Sequence, residues 1–264
     1  MPELVEVEQY RLLAVGALDR QIGSVSIPDP HAVAAPGPTA LRDAVVGRSF
    51  VDARRKGKLL LLDTDGGGPT VGLRFGMTGG LVLDGRTAVD RLLYSAGHYD
   101  ERWVRLRFQF ADGGGLALHD PRRFGRVVVQ PDESALGPDA LTVSAAQLRR
   151  ALATPTSSAG PPLKSRLMDQ ARLSGVGNLA ADEILWRASL SPLRGSATLS
   201  PGELRRLHRH LVATLGDLLA RGGSHTGDLM AERRSGGRCR KDGRPLQKTT
   251  VGGRTTWWCP GHQR

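Results

Sequence analysis

The sequence predicts an α+β chain of two domains, an N-terminal β-sandwich or barrel followed by a helical half. Three observations predict it. Apolar residues recur at every second position from about residue 48 to 130, as in half-buried strands. Beyond about residue 145 they recur with a helical period. Between the two lies PDESALGPDAL (131–141), punctuated by proline and glycine as linkers are. The expected division is a sandwich domain over 1–130, a linker over 131–145, a helical domain over 146–231 and a Gly- and Arg-rich hairpin over 232–264. At 264 residues the chain is long enough for two cores.

The opening stretch MPELVEVE reads as helix, with Val5, Val7, Leu12 and Leu13 as its apolar surface. Two readings of it stay open. Pro2 suits a first helical position, and Glu3, Glu6 and Glu8 suit the positive end of the dipole. Alternatively, removal of Met1 would leave a secondary amine beside a carboxylate. Strands follow in KLLLLDT, VGLRFGM, GGLVLDG, VRLRFQF, GGLALHD and RVVVQ, split by Gly and Asp turns. VRLRFQF sets Val104, Leu106, Phe108 and Phe110 against Arg105, Arg107 and Gln109, giving one apolar and one basic face. HDPRRFGR (119–126) reads as a β-hairpin tip. In the second half, SAAQLRRALA, SRLMDQARL, NLAADEILWRASL and SPGELRRLHRHLVATLGDLLARG read as helices. One ends near Leu173, SGVG turns, and Asn178 opens the next. Ser200 before Pro201 and Glu203 is an N-cap signature.

Lys and Arg number 37 against 26 Asp and Glu, a formal net charge of +11, and the isoelectric point is about 10.7. That excess points to a polyanion. No run approaches the roughly 20 apolar residues of a spanning helix, and no charged-then-apolar leader precedes the first helix, which favours nucleic acid over membrane. Aromatic residues are only 5% of the chain, too few for serial stacking on single strands. Two cysteines, Cys239 and Cys259, cannot build a disulfide framework, so a reducing cytosol is expected.

Four groups of residues carry candidate chemistry. In GVGN the glycines allow close backbone approach, and the helix opened by Asn178 offers a phosphate seat, with a capped helical hairpin as the alternative. Lys164 lies nearby in sequence. Phe124, among Arg122, Arg123 and Arg126, is out of place at a tip unless it packs or inserts, as apolar wedges do between base steps. Met77 in FGMTGG is a second candidate wedge, though a core methionine is the default. The tail places Cys239 and Asp242, then 16 intervening residues, then Cys259 and His262, the spacing of a zinc ribbon with two thiolates only. Bound Zn²⁺ would hold a hairpin that has little core; a metal-free hairpin is the alternative. Arg254 and Trp257–Trp258 lie on that hairpin.

Taken in order, PELVEVE, RRKGKLLLL, FGMTGGL, HDPRRFGRV, LGPDAL, LMDQARLSGVGNLAADEIL, GGS and RTTWWCPGHQ resemble the formamidopyrimidine-DNA glycosylase/endonuclease VIII family of base-excision repair, nearly end to end. The resemblance implies a β-sandwich flanked by helices, a hinge, and a helix–two-turns–helix domain with a zinc finger. It implies a bifunctional glycosylase and abasic-site lyase acting on damaged double-stranded DNA as a cytoplasmic, nucleoid-associated monomer. Pro2, freed of Met1, would be the Schiff-base nucleophile, Glu3 the acid/base and Glu6 a supporting carboxylate. Lys58 would contact phosphate near the lesion, as would Arg123, Asn178 and Arg254 elsewhere. Met77, Arg122 and Phe124 would fill the hole left by the everted base, Arg122 facing the orphaned partner. Lys164 and Glu183 match motif positions, Lys164 among the DNA contacts.

This chain departs from the family pattern at Val5, Arg74 and Ala180, and at Asp242 and His262, which stand for two finger cysteines. Residues 230–238 are a short remnant of the region that caps the everted base in the 8-oxoguanine branch, which weakens strict 8-oxoguanine specificity. The N-terminus favours formamidopyrimidines as first substrates, with other oxidised or alkylated bases open. A non-excising DNA-binding relative on the same platform is the alternative reading.

Overall fold

The computed structural model describes residues 2–89, 98–154 and 159–264. It divides into two compact units, Met1–Glu133 and Ser134–Arg264. The first unit opens with α1 (Leu4–Ala14), then β1 (Ile22–Ser26), α2 (Pro38–Val45), β2 (Phe50–Lys56), β3 (Leu59–Thr64), β4 (Thr70–Arg74), β5 (Gly80–Leu83), β6 (Arg86–Thr87), β7 (Val104–Phe110), β8 (Gly115–His119) and β9 (Arg126–Val129). The strands form two antiparallel sheets, β1-β7-β8-β5-β6 and β2-β3-β4-β9. Alternation explains the interior: Leu60, Leu62, Val71, Leu73 and Val127 of one sheet cluster with Ile22, Leu81, Leu83, Leu106, Phe108, Leu116 and Leu118 of the other. From α1, Val7, Tyr10 and Ala14 join the same core.

Two expectations for this unit need correction. β8 and β9 do not form a hairpin: β8 pairs with β5 and β7, and β9 pairs with β4. Residues 120–125 therefore cross from one sheet to the other, a non-local pairing that strand periodicity cannot reveal. Val104 also leaves the face of Leu106, Phe108 and Phe110. The β7–β8 register shifts between Val104 and Leu106, so Arg105 is an extra residue and Val104 clusters instead with Val82 and Ala117. The bulge aims Arg105 at the crossing segment, where its Nε donates to the Asp120 carbonyl at 2.7 Å.

The second unit contains α3 (Ala145–Leu152), α4 (Leu163–Leu167), α5 (Asn178–Arg187), α6 (Pro201–Ala220) and the hairpin β10 (Gln247–Val251) with β11 (Arg254–Trp258). Ser200 and Glu203 form the expected reciprocal capping box, with Pro201 in the first turn of α6. Part of the expected linker belongs to this unit. Gly137 N donates to Gln170 O at 2.9 Å, Ala140 N to Ser174 O at 2.9 Å and Ser174 N to Pro138 O at 3.0 Å. The helix expected to run to near Leu173 stops at Leu167. The Gln170 carboxamide takes its place: Nε2 donates to Met168 O and Val176 O, and Oε1 accepts from Gly175 N. A side chain thus satisfies backbone groups that another helical turn would have used. No helix among the described residues is long and apolar enough to cross a membrane.

Candidate functional site

The N-terminus is built around a cap. Glu3, not Pro2, is the N-cap of α1, with extended backbone (φ −104°, ψ −172°). Pro2 therefore lies outside the helix, which overturns the reading of it as a first helical residue. Glu6 Oε2 accepts the Glu3 N–H at 2.7 Å, and the Glu3 carboxylate reaches back to the Glu6 N–H. Both carboxylates are buried, at 2% and 1% exposure, and Pro2 is buried beside them. Glu8 serves elsewhere, in ion pairs with Arg11 at 2.7 Å and Arg55 at 2.8 Å. Burial pushes the Glu8 carboxyl up, but the two guanidinium groups outweigh it and hold it below its usual range. Lys58 stands in the two-residue β2–β3 turn, next to Gly57 at φ +59°, the left-handed region that glycine tolerates.

Two loops of the same unit carry the candidate insertion residues. Residues 75–79 hold Met77, and residues 120–125 hold Arg122, Arg123 and Phe124. Phe124 is 50% exposed. Full burial of a Phe side chain is worth about 1.5–3 kcal/mol, so this position forfeits a good part of that. The Arg122 guanidinium lies 5.1 Å from the Phe124 ring centroid. Beneath them Asp120 is fully buried. Its Oδ2 accepts from Phe124 N at 2.7 Å and Gly125 N at 2.6 Å. Its Oδ1 accepts from Thr78 Oγ1 at 2.6 Å and Arg122 N at 3.2 Å. A bare buried carboxylate costs several kcal/mol, and four charge-assisted hydrogen bonds of about 1.5–3 kcal/mol each offset that. Arg123 lies at φ +59° and is held bidentate by the buried Asp29, at 2.7 and 2.8 Å.

In the second unit, the cap position of α5 is Gly177, and Asn178 is its first helical residue with no side-chain cap bond. The capped-hairpin reading of Asn178 is thus not realised. Its Oδ1 is buried and meets no donor among the described residues, at a helix start whose N–H groups suit an anion. Arg254 is exposed at the first position of β11, just after Gly252 and Gly253 at φ +55° and +72°, the pair of left-handed residues a type I′ turn requires. A Cβ on Gly252 would lie 2.7 Å from Ser165 Oγ, so the turn sits directly on α4.

Lys164, expected among the DNA contacts, is fully buried instead. Its Nζ lies 2.7 Å from Asp182 Oδ1 and donates to Thr255 O at 3.1 Å and Thr256 Oγ1 at 2.8 Å. With its protons committed there, it positions the hairpin rather than touching a ligand. Asp182 Oδ2 completes the group by pairing with Arg233 and accepting from Trp257 N at 3.1 Å. Glu183 accepts from Asp228 N at 3.1 Å and Leu229 N at 2.9 Å, tying α5 to the chain after α6.

Cys239, Asp242, Cys259 and His262 converge, with one donor atom from each all within 4.8 Å of one another. Cys239 Sγ lies 3.3 Å from His262 Nδ1, and Cys259 Sγ lies 3.3 Å from both Asp242 oxygens. His262 Nε2 lies 3.1 Å from Trp186 O, the outer hydrogen bond that leaves Nδ1 for a metal. A Cβ on Gly261 would collide with Asp242 Oδ2, so glycine is needed for that carboxylate to enter. Two thiols, one imidazole and one carboxylate at these separations fit a tetrahedral Zn²⁺.

Several residues here escape sequence reasoning. Asp120 precedes a proline and looks like an ordinary turn residue; the signal was its spacing two to five residues before the N–H groups it binds. Asp182 is a charge inside the apolar run NLAADEIL, which itself marks a buried pair. Thr78, Gln170 and Trp186 had no local signal.

The profile of the formamidopyrimidine-DNA glycosylase N-terminal domain matches residues 1–127, and that of the formamidopyrimidine-DNA glycosylase H2TH domain matches residues 136–229. The chain is 33% identical to the formamidopyrimidine-DNA glycosylase of Geobacillus kaustophilus over 293 aligned positions, covering all of both chains. It is 35% identical to that of Xanthomonas campestris over 287 positions, again with full coverage of both. Among solved structures, the complex of Lactococcus lactis Fpg with abasic-site DNA shares the fold at a TM-score of 0.82 and 24% identity, covering all of both chains. A glycine-to-proline mutant of that Lactococcus lactis protein, in complex with Fapy-dG DNA, gives 0.83 at 25%, also with full coverage. Sandwich and helical unit alike thus have the architecture of a DNA-repair protein of the base-excision class. More narrowly, the chain belongs to the formamidopyrimidine-DNA glycosylase/endonuclease VIII family.

Proposed function

We propose that this chain is a bifunctional DNA glycosylase and abasic-site lyase that removes damaged bases from duplex DNA, ring-opened purines first among them. The observation that carries the reading is the N-terminal cap. Glu3 and Glu6 hold each other's backbone, which keeps Pro2 off the helix and next to a buried carboxylate. A terminal amine, with a generic pKa of about 7.7–8.0 against about 10.4 for lysine, is far more often neutral near pH 7.

Once Met1 is removed, the Pro2 nitrogen attacks C1′ of the damaged nucleotide, the glycosidic bond breaks and the base departs with a proton. Glu3 donates to the ring oxygen as the sugar opens, leaving an iminium between Pro2 and C1′. Glu3 then moves the C2′ proton as the 3′ phosphate leaves in β-elimination; δ-elimination of the 5′ phosphate follows, and hydrolysis frees Pro2. Lys58, Arg123, Asn178 and Arg254 bind phosphate, which fits the charge of +11. Met77, Arg122 and Phe124 fill the emptied stack; eversion costs a few kcal/mol and is easiest at damaged, poorly stacked bases. Cys239, Asp242, Cys259 and His262 would hold a structural Zn²⁺, which cross-links the hairpin bearing Arg254.

The test is to mix the protein with an abasic-site duplex and add borohydride. A covalent adduct is expected, lost to background in Pro2→Gly and in protein that retains Met1. Absence of an adduct from correctly processed wild-type protein would leave a DNA-binding relative that excises nothing.

A further inference from the structure

The loops bearing Met77 and Phe124 arise from segments more than 40 residues apart, yet a wedge needs them to move as one body. Asp120 touches both: one carboxylate oxygen takes Thr78 and Arg122, and the other takes Phe124 and Gly125. The loops also interlock sterically. A Cβ on Gly76, at φ +58°, would lie 2.5 Å from Phe124 Cβ and 2.7 Å from its carbonyl carbon. The first loop is in turn fixed to α1, the helix that directly follows the proposed nucleophile. Tyr10 Oη donates to Gly79 O at 3.3 Å, and the Tyr10 and Phe75 rings lie 4.5 Å apart.

We propose that Asp120 is a positioning residue that makes the two loops a single insertion unit and sets it in register with the N-terminal nucleophile. This rests on the reading of Met77, Arg122 and Phe124 as insertion residues. An aspartate is required because four donors converge on it. An asparagine keeps the shape but offers one acceptor oxygen instead of two. Its N–H₂ can donate to Thr78 Oγ1 yet leaves a backbone N–H of loop 120–125 facing a donor, so the joint between the loops is weakened. The chemistry at Pro2 does not pass through Asp120. Its loss therefore penalises steps that open a duplex and spares those that need no opening.

The experiment compares wild type, Asp120→Asn and Thr78→Val on two substrates: a duplex with one formamidopyrimidine, and a single strand with one preformed abasic site. Wild-type borohydride trapping on an abasic duplex checks the underlying activity separately. Asp120→Asn is expected to lower base excision from the duplex about tenfold or more while leaving single-strand nicking within about twofold. Thr78→Val, which removes one donor and keeps the carboxylate, is expected to fall between. A 2-aminopurine beside the lesion should lose its opening signal in the same order. Equal excision by wild type and both variants would overturn the proposal. So would a parallel fall on both substrates, which is the mark of a destabilised domain; thermal melting and the milder Thr78→Val keep that outcome readable.

Discussion

Loop 120–125 and the β10–β11 turn both present arginine to solvent, but opposite means hold them. The first stands on a large apolar sandwich and needs only one buried carboxylate, Asp120, to organise its backbone. The second stands on a small cluster: Trp186, Leu229, Cys239, Leu246 and Cys259, with Trp257 packed against it. That hairpin is secured from both ends, by the four converging donors and by Lys164–Asp182 against Thr255 and Thr256. The depth of core beneath a tip decides how strong a polar anchor it requires.

Metal removal should separate the two tips most sharply. Structural zinc binds zinc-finger peptides with about 10–16 kcal/mol, and that energy is folding energy. Elemental analysis should find about one zinc per chain, and chelation or Cys259→Ser should expose residues 239–258 to protease while the sandwich domain stays resistant. A metal content near zero with an intact hairpin would mean that packing alone supports this tip, and the contrast would fail. Next in size is Lys164→Met, which strands a buried carboxylate. A cost of about 3–5 kcal/mol is typical, with the low end expected because Arg233 still faces Asp182. Calorimetry should show the loss; no loss in this variant would dismiss the pair as an anchor.

The smallest effect is expected at Asp29. Hydrogen bonds from Arg123 hold its carboxyl below the usual range. A depressed carboxylate stabilises the fold above its unfolded pKa of about 3.9 and loses that as pH falls through the folded value. Asp29→Asn should therefore lower the melting temperature by about 2 °C or less at pH 7, and the gap should close below about pH 4. Loop 120–125 should keep its shape, because Asp120 rather than Asp29 organises it. A large drop would reverse that assignment.

How much of this was legible in the sequence follows the range of the interactions. The α6 cap and the spacing that brings Cys239, Asp242, Cys259 and His262 together are local, and they read correctly. The crossing between sheets, the bulge at Arg105 and the partners of Lys164 depend on residues distant in sequence. Thr256 lies 92 positions from Lys164, and no window of periodicity spans that. The candidate site residues come from local motifs and from the resemblance; the groups that hold them, Asp120 and Asp182 above all, come from neither, because a carboxylate's role depends on which donors the fold brings to it.

Trp186 gives the second tip an unusual witness. Its indole N–H donates to Cys239 Sγ at 3.3 Å, while its carbonyl accepts from Lys241 Nζ and meets His262 Nε2. An indole bonded directly to a sulfur senses any change in that sulfur's charge. With Trp103, Trp257 and Trp258 replaced by phenylalanine, the ultraviolet emission left at Trp186 becomes a gauge of occupancy, readable without dye or label.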